Sequence, residues 1–171
     1  MTWSVERSRF NHDWLKNSYL PALNLLVDRL SNPPTDGGAG PDRLLARLGE
    51  WHLWRPPLTD LLATAETALS PRGWVDETPA DAAPPAVRSA LADLAHLLWL
   101  ARSRVTERVR AASDAVTAAD TAYAALTAAV DRVPLPRTWA TLAPLRDTAI
   151  AFRDACAAVA TAIGALPRDG E

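Results

Sequence analysis

The chain has 171 residues, a formal net charge of −2, seven tryptophans and one cysteine. This length suffices for one domain or for a small domain with an extension, and the near-neutral charge gives no general attraction to nucleic acid or to an anionic membrane. The single cysteine, Cys156, excludes an intramolecular disulfide. The apolar runs are too short for a signal peptide or a bilayer span, so we expect a cytoplasmic protein.

The first predicted element is a helix over residues 4–31. Phe10 and Trp14 are four residues apart, and Leu20, Leu23, Val27 and Leu30 follow at steps of three and four. Pro21 interrupts this stretch and lacks the N–H that a helix interior needs, so we expect the helix to kink or restart there. Residues 31–40 are rich in proline and glycine and are predicted to form a loop.

Two shorter helices are predicted next. Asp42 is the expected N-cap of a short helix that includes Trp51, and Arg55-Pro56-Pro57 is expected to end that helix. A further helix then has four apolar residues on one stripe: Leu58, Leu62, Ala65 and Leu69. Residues 70–85 contain four prolines and are predicted to form an exposed loop.

The most informative feature is the stretch from Ala86 to Val133, which contains no proline or glycine. Prolines flank it on both sides and its apolar residues keep helical spacing, so it predicts one helix over about 86–133. At about 1.5 Å per residue this helix would span roughly 70 Å, about twice the width of a compact domain of this size. Its second half has a heptad-like seam: Val109, Ala112, Val116, Ala119, Tyr123, Leu126, Val130 and Val133.

A last helix is predicted from about Leu142, with Thr141 as its N-cap and Pro144 in its first turn. Its apolar residues alternate strictly between steps of three and four: Leu142, Leu145, Ala149, Phe152, Cys156, Val159, Ile163 and Leu166. The connection Pro134–Thr138 is short, so this helix should run antiparallel to the long helix as a coiled-coil-like hairpin.

These elements predict an all-α fold, a helical bundle with one very long helix. One arrangement has a tryptophan-rich helical head over residues 1–104, which includes the first part of the long helix, and a hairpin over residues 105–171. The alternative is a single compact four-helix bundle, with the N-terminal helix along its whole length. Residues 91–101 are apolar nearly all round, so we expect other helices to surround them.

The tryptophan-rich part offers two interpretations. Trp51 and Trp54 lie beside a proline pair and could form an exposed recognition patch or anchor a helix corner in the core, and the second is favoured. A pocket between the head helices would be lined by Trp14, Trp51, Trp54, His96 and Trp99. These five residues are therefore candidate contacts for a partner or a ligand.

Catalytic and metal-ligating patterns are weak. The three histidines, His12, His52 and His96, lack the late histidine pair of DinB-like metal bundles. Asp93 and His96 are spaced like one motif of a di-iron bundle, which needs two such motifs and further carboxylates. Cys156 lies on the helical seam and is predicted to be a small buried side chain. We therefore expect no catalytic residue, no metal and no cofactor.

Four arginines lie between Arg102 and Arg110. Helical geometry places Arg104 and Arg108 on one flank of the seam, and the other two on the opposite flank. They are predicted to cover apolar surface and to pair with acids such as Asp147 or Asp154. Arg104 and Arg108 are also candidate partner contacts.

The stretch from Leu44 to Leu53, followed by Leu61-Leu62 and Ala68-Leu69, resembles small helical proteins that accompany bacterial caspase and TPR-repeat conflict systems. The resemblance implies an accessory, non-enzymatic protein that acts beside larger effectors.

Two functions are consistent with the sequence. The first is a non-catalytic helical adaptor that binds a protein partner or a second copy of itself through its apolar seams, with no nucleic acid and no membrane involved. The second is an enzyme or a binder of a small molecule or metal, with the pocket of tryptophans and His96 as its site.

Overall fold

The computed structural model describes residues 12–35, 38–69 and 84–166, and in these ranges it contains helices and no strand. A π-helical turn over Leu15–Tyr19 leads into helix α1, Leu20–Ser31. Three helices follow in the middle of the chain: α2 over Asp42–Leu48, α3 over Glu50–Leu69 and α4 over Pro85–Asp131. A single turn, α5 (Trp139–Leu142), and a 3₁₀ turn, Ala143–Leu145, precede α6, Arg146–Gly164. The predicted all-α fold is confirmed.

The long helix is confirmed almost to the residue, because α4 runs unbroken for 47 residues. Its seam is buried from Val109 to Val130, and the facing seam of α6 is buried from Ala149 to Ile163. The two helices are antiparallel neighbours. The ring of Tyr123 lies 5.4 Å from that of Phe152, whereas Arg108, earlier on α4, reaches the carbonyl of Ala165 just past the end of α6.

The N-terminal helix runs antiparallel to α6. His12 lies against Gly164 at one end, and Nε of Arg146 donates to Oγ of Ser31 over 2.9 Å at the other. Buried side chains of α1, α3, α4 and α6 belong to one hydrophobic cluster. The division between residues 104 and 105 stays a prediction.

Pro21 lies where the helical hydrogen-bond pattern changes. The π-helical turn ends at Tyr19, and α1 begins at Leu20 with Pro21 in its first turn. The backbone stays helical across this point, since the N–H of Leu20 donates to the carbonyl of Leu15. The helix therefore changes type here and does not end and restart.

The break expected at Arg55-Pro56-Pro57 is wrong, since α3 continues through both prolines. Trp51 and Leu58 are seven residues apart on one helical face and both are fully buried, so packing holds the helix on either side of the prolines. Pro56 is on the exposed side. There, water can satisfy the carbonyls that lack a proline N–H.

Two predicted caps are also wrong. Asp42 is the first residue of α2 rather than its N-cap, which is Pro41, and α2 ends before Trp51. The cap before the last helices is Thr138, whose side chain accepts from the N–H of Thr141, while the Thr141 hydroxyl accepts from the N–H of Thr138. This reciprocal capping box starts the single turn α5.

Candidate functional site

Two regions contain the residues that the sequence proposes as contacts. The first is an aromatic cluster in the middle of the bundle, formed by Trp14, Tyr19, Trp51, Trp54, Tyr123 and Phe152. The second is the first part of α4, residues 85–104, which we call the overhang, with Arg108 one turn after it. Their accessibility differs, and this difference decides which of the two can meet a partner.

The rings of the aromatic cluster make both stacked and edge-to-face contacts. Trp14 stacks on Tyr19 and on Trp54, with ring centroids 4.7 and 4.8 Å apart. Trp51 packs edge-to-face on Phe152 at 5.8 Å. Trp51, Tyr19 and Phe152 are fully buried, whereas Trp14 and Trp54 are partly exposed. Most of this aromatic surface is therefore used inside the fold.

The polar atoms of the buried rings have partners. Nε1 of Trp51 donates to Oδ1 of Asp120 over 3.2 Å, and the hydroxyl of Tyr19 donates to the carbonyl of Leu48 over 2.8 Å. Burial raises the pKa of the Tyr19 hydroxyl, so this donor stays protonated at neutral pH. The core interpretation is confirmed for Trp51.

His96 lies far along α4 from the point where Trp51 contacts this helix. Trp51 meets α4 at Asp120, which is 24 residues after His96, and this separation corresponds to about 36 Å along the helix axis. Trp99 is on the same part of α4, and its side chain lies outside the part of the chain that the structure describes. A single pocket therefore does not gather Trp14, Trp51 and Trp54 together with His96.

The overhang has a different environment from the rest of α4. Of its described side chains none is buried, and Leu94 and Leu97 are 52% and 62% exposed. The expectation that other helices surround residues 91–101 is wrong for this pair of leucines. Since α6 ends level with Arg108, the overhang extends past it by about 20 residues, or roughly 30 Å.

Arg104 and Arg108 are both exposed at the base of the overhang. Nη1 of Arg108 donates to the carbonyl of Ala165 at 3.5 Å, which is long for a hydrogen bond. The predicted pairing of these arginines with Asp147 and Asp154 is wrong. Those carboxylates pair instead with their neighbours on α6, Arg146 at 3.4 Å and Arg153 at 2.8 Å.

Among the described residues, Cys156 and the three histidines lie in different parts of the fold. Cys156 is fully buried on the seam, as predicted, and burial raises the pKa of its thiol, so the nucleophilic thiolate is disfavoured. In the described ranges, no three His, Cys, Asp or Glu side chains converge as a metal site would require. His12 lies at Gly164, His52 is edge-on to Tyr123, and His96 is on the overhang.

Leu94 and Leu97 are not predicted from the sequence to be surface residues. The apolar composition of residues 91–101 does indicate that something covers them, because a helix segment that is apolar nearly all round needs partners on every side. The same pattern occurs in a buried helix and in one that a separate molecule covers.

Comparison with models of protein families, with curated proteins and with solved structures finds no match for this chain. Within the described residues, no helix combines the length and the hydropathy that a bilayer crossing demands.

Proposed function

We propose that this protein is a non-catalytic helical adaptor that binds a helix of a partner protein along its overhang. The observation that carries the proposal is the exposure of Leu94 and Leu97 on a segment without a buried described side chain. Apolar side chains exposed three residues apart on a helix form a stripe that an amphipathic partner helix can cover. Because these leucines are about half exposed, covering the rest of each contributes about 1–2 kcal/mol.

Charge indicates the kind of partner. Arg104 and Arg108 are exposed cations beside the apolar stripe, and Asp93 is the only described acid on the overhang. A partner helix with leucines on one face and acids on its flank would match both features, since opposite charges set register and speed encounter. A second copy of this chain would bring arginine towards arginine in a parallel pairing, so we favour a different protein.

The pathway and the location of the protein are proposed from the sequence alone. An accessory role in a bacterial conflict system rests on the resemblance of residues 44–53 to accessory proteins of such systems. A cytoplasmic location is supported by the single cysteine in 171 residues.

Charge substitution on the overhang tests the proposal. Leu94→Glu with Leu97→Glu places two carboxylates on the apolar stripe and leaves the bundle core untouched. Leu25→Glu with Leu53→Glu is the matched control, because these leucines are also exposed and lie on other helices. Substitution of Leu126 or Val159 would not serve, since both are buried in the seam and a charge there would unfold the protein.

The measurement is quantitative co-purification from the native cells, with the melting temperature of each variant as a check on folding. We expect a stoichiometric partner with the unaltered protein and with the control, and at least about a tenfold loss with the overhang variant, which corresponds to 1.4 kcal/mol. Equal recovery of the partner with both variants would contradict the proposal.

A further inference from the structure

A small pocket lies at the opposite end of α4 from the overhang. It has a volume of about 210 Å³ and opens between α2 and the last turns of α4. Leu45 and Leu48 of α2 and Val130 of α4 form its apolar wall. This volume holds roughly seven water molecules at about 30 Å³ each and is below the ~300 Å³ of a typical drug-sized site. The pocket therefore suits a small molecule.

The hydroxyl of Tyr123, which lines this pocket, has no hydrogen-bond partner among the described residues. Tyr123 is only 6% exposed, and its ring is fixed between His52, edge-on at 4.8 Å, and Phe152 at 5.4 Å. Among the described residues no group forms a hydrogen bond with its hydroxyl. A buried hydroxyl without a partner costs about 1–3 kcal/mol, so an acceptor supplied from outside the fold would be stabilised at this position. Burial raises the pKa of Tyr123, and so do Asp120 and Asp131, which keeps the hydroxyl available as a donor.

Arg137 provides a positive charge at the same pocket. Its side chain is 22% exposed, and its Nε donates to the carbonyl of Val133 over 3.3 Å, which fixes the plane of the guanidinium. Its Nη2 lies 3.8 Å from Oδ1 of Asp131, beyond hydrogen-bond distance, and the Asp131 side chain is 81% exposed. The terminal nitrogens of a mostly buried guanidinium thus lack a close acceptor among the described residues.

We propose that this pocket binds a small organic carboxylate. The carboxylate accepts hydrogen bonds from the terminal nitrogens of Arg137 and from the hydroxyl of Tyr123, and a branched or aromatic body contacts the leucines and Val130. The guanidinium fork matches a carboxylate in a bidentate manner. A phosphate fits less well, because the wall is apolar and Asp131 repels a second negative charge. This site is separate from the overhang and does not depend on the proposed function.

Calorimetric titration with benzoate tests the proposal, with the neutral isostere benzamide as the control ligand. We expect saturable 1:1 binding of benzoate and at least about tenfold weaker binding of benzamide, because only the anion gains charge-assisted hydrogen bonds. Arg137→Gln should weaken benzoate binding about tenfold and Tyr123→Phe about threefold to tenfold. Arg146→Gln, at an exposed arginine that does not line the pocket, should leave benzoate binding unchanged.

Asp131→Asn is the most discriminating variant. It should strengthen benzoate binding only if the Asp131 carboxylate repels a bound anion. Removal of the repelling carboxylate should tighten benzoate binding about threefold, and the substitution at so exposed a side chain does not endanger folding. The proposal is overturned if neither benzoate, phenylacetate nor isovalerate binds saturably. It is also overturned if folded Arg137→Gln binds benzoate as tightly as the unaltered protein, or if Asp131→Asn binds it no more tightly.

Discussion

Nε1 of Trp51 donates a hydrogen bond to Oδ1 of Asp120, and Nε of Arg55 lies 3.0 Å from the same oxygen. Trp51 and Arg55 are one turn apart on α3, directly before the proline pair. One carboxylate of α4 therefore holds the first turns of α3 in place. This attachment, together with the burial of Leu58 after the prolines, explains how α3 continues where the sequence predicts a break.

The attachment at Asp120 makes a first prediction. Asp120→Ala removes the acceptor of a buried indole N–H, and the free energy of unfolding should fall by about 1–3 kcal/mol. Asp114→Ala is the matched control, because Asp114 is an exposed acid on the same helix, and its effect should stay within about 0.5 kcal/mol. Urea denaturation of both variants measures the difference. Equal stabilities of the two variants would show that the attachment adds nothing.

The two tyrosine hydroxyls make a second prediction. Tyr19→Phe leaves the carbonyl of Leu48 without its buried donor and should cost about 1–2 kcal/mol of unfolding free energy. Tyr123→Phe removes a buried hydroxyl for which the described residues offer no hydrogen-bond partner, so the free energy of unfolding should rise by up to about 1–3 kcal/mol. Chemical denaturation compares the two on one scale. A larger cost for Tyr123→Phe would mean that its hydroxyl has a structural role.

The small residues of the seam make a third prediction. Ala119 is fully buried between α4 and its neighbours, so Ala119→Leu forces the helices apart and should cost about 1–3 kcal/mol. Ala118→Leu, one position earlier and exposed, should be neutral within about 0.5 kcal/mol. Thermal unfolding of the pair distinguishes close helix packing from a loose interface. A tolerated leucine at position 119 would argue for a loose one.

Alkaline pH should destabilise the fold. Burial raises the pKa of the Cys156 thiol above its ordinary value of 9.0, and that of Tyr19 above 10.0. A raised folded-state pKa means that the unfolded chain loses its proton first, so the stabilising contribution is complete below the ordinary pKa and is lost at higher pH. Unfolding free energy should be flat near neutral pH and fall above about pH 9 by about 1.4 kcal/mol per pH unit for each ionising group.

Cys156→Ala isolates the thiol contribution. This variant starts less stable because it loses buried volume, yet its unfolding free energy should stay flat until about pH 10, where the tyrosines begin to contribute. Denaturant titrations at half-unit intervals from pH 7 to 10.5 measure the two profiles. Parallel profiles for the variant and the unaltered protein would exclude the thiol as the source.

Much of the fold follows from the sequence. The absence of proline and glycine from Ala86 to Val133 is sufficient to predict α4, and the spacing from Val109 onward is sufficient to predict which of its faces is buried. Local rules succeed there because a long, regular amphipathic repeat outweighs tertiary detail. They fail at Pro56, where burial of Trp51 and Leu58 overrides the proline, and at Thr138, where one reciprocal cap changes the start of the last helices.

The candidate site is less accessible to prediction. The apolar composition of residues 91–101 does not distinguish a buried segment from a projecting one. The distinction depends on where α6 ends, which is near Arg108. The pocket at Tyr123 and Arg137 depends on two segments that are distant in the sequence, residues 45–49 and residues 123–137. No periodicity brings such residues together.

Amide hydrogen exchange of the overhang tests the central claim most directly. In the protein alone, amides of residues 85–104 should exchange faster than those of residues 109–130, which lie in the packed part of α4. In the co-purified complex, exchange over 85–104 should slow by at least about tenfold while exchange over 109–130 stays unchanged, because the partner covers Leu94 and Leu97. A complex in which the overhang exchanges as fast as in the free protein would contradict the account.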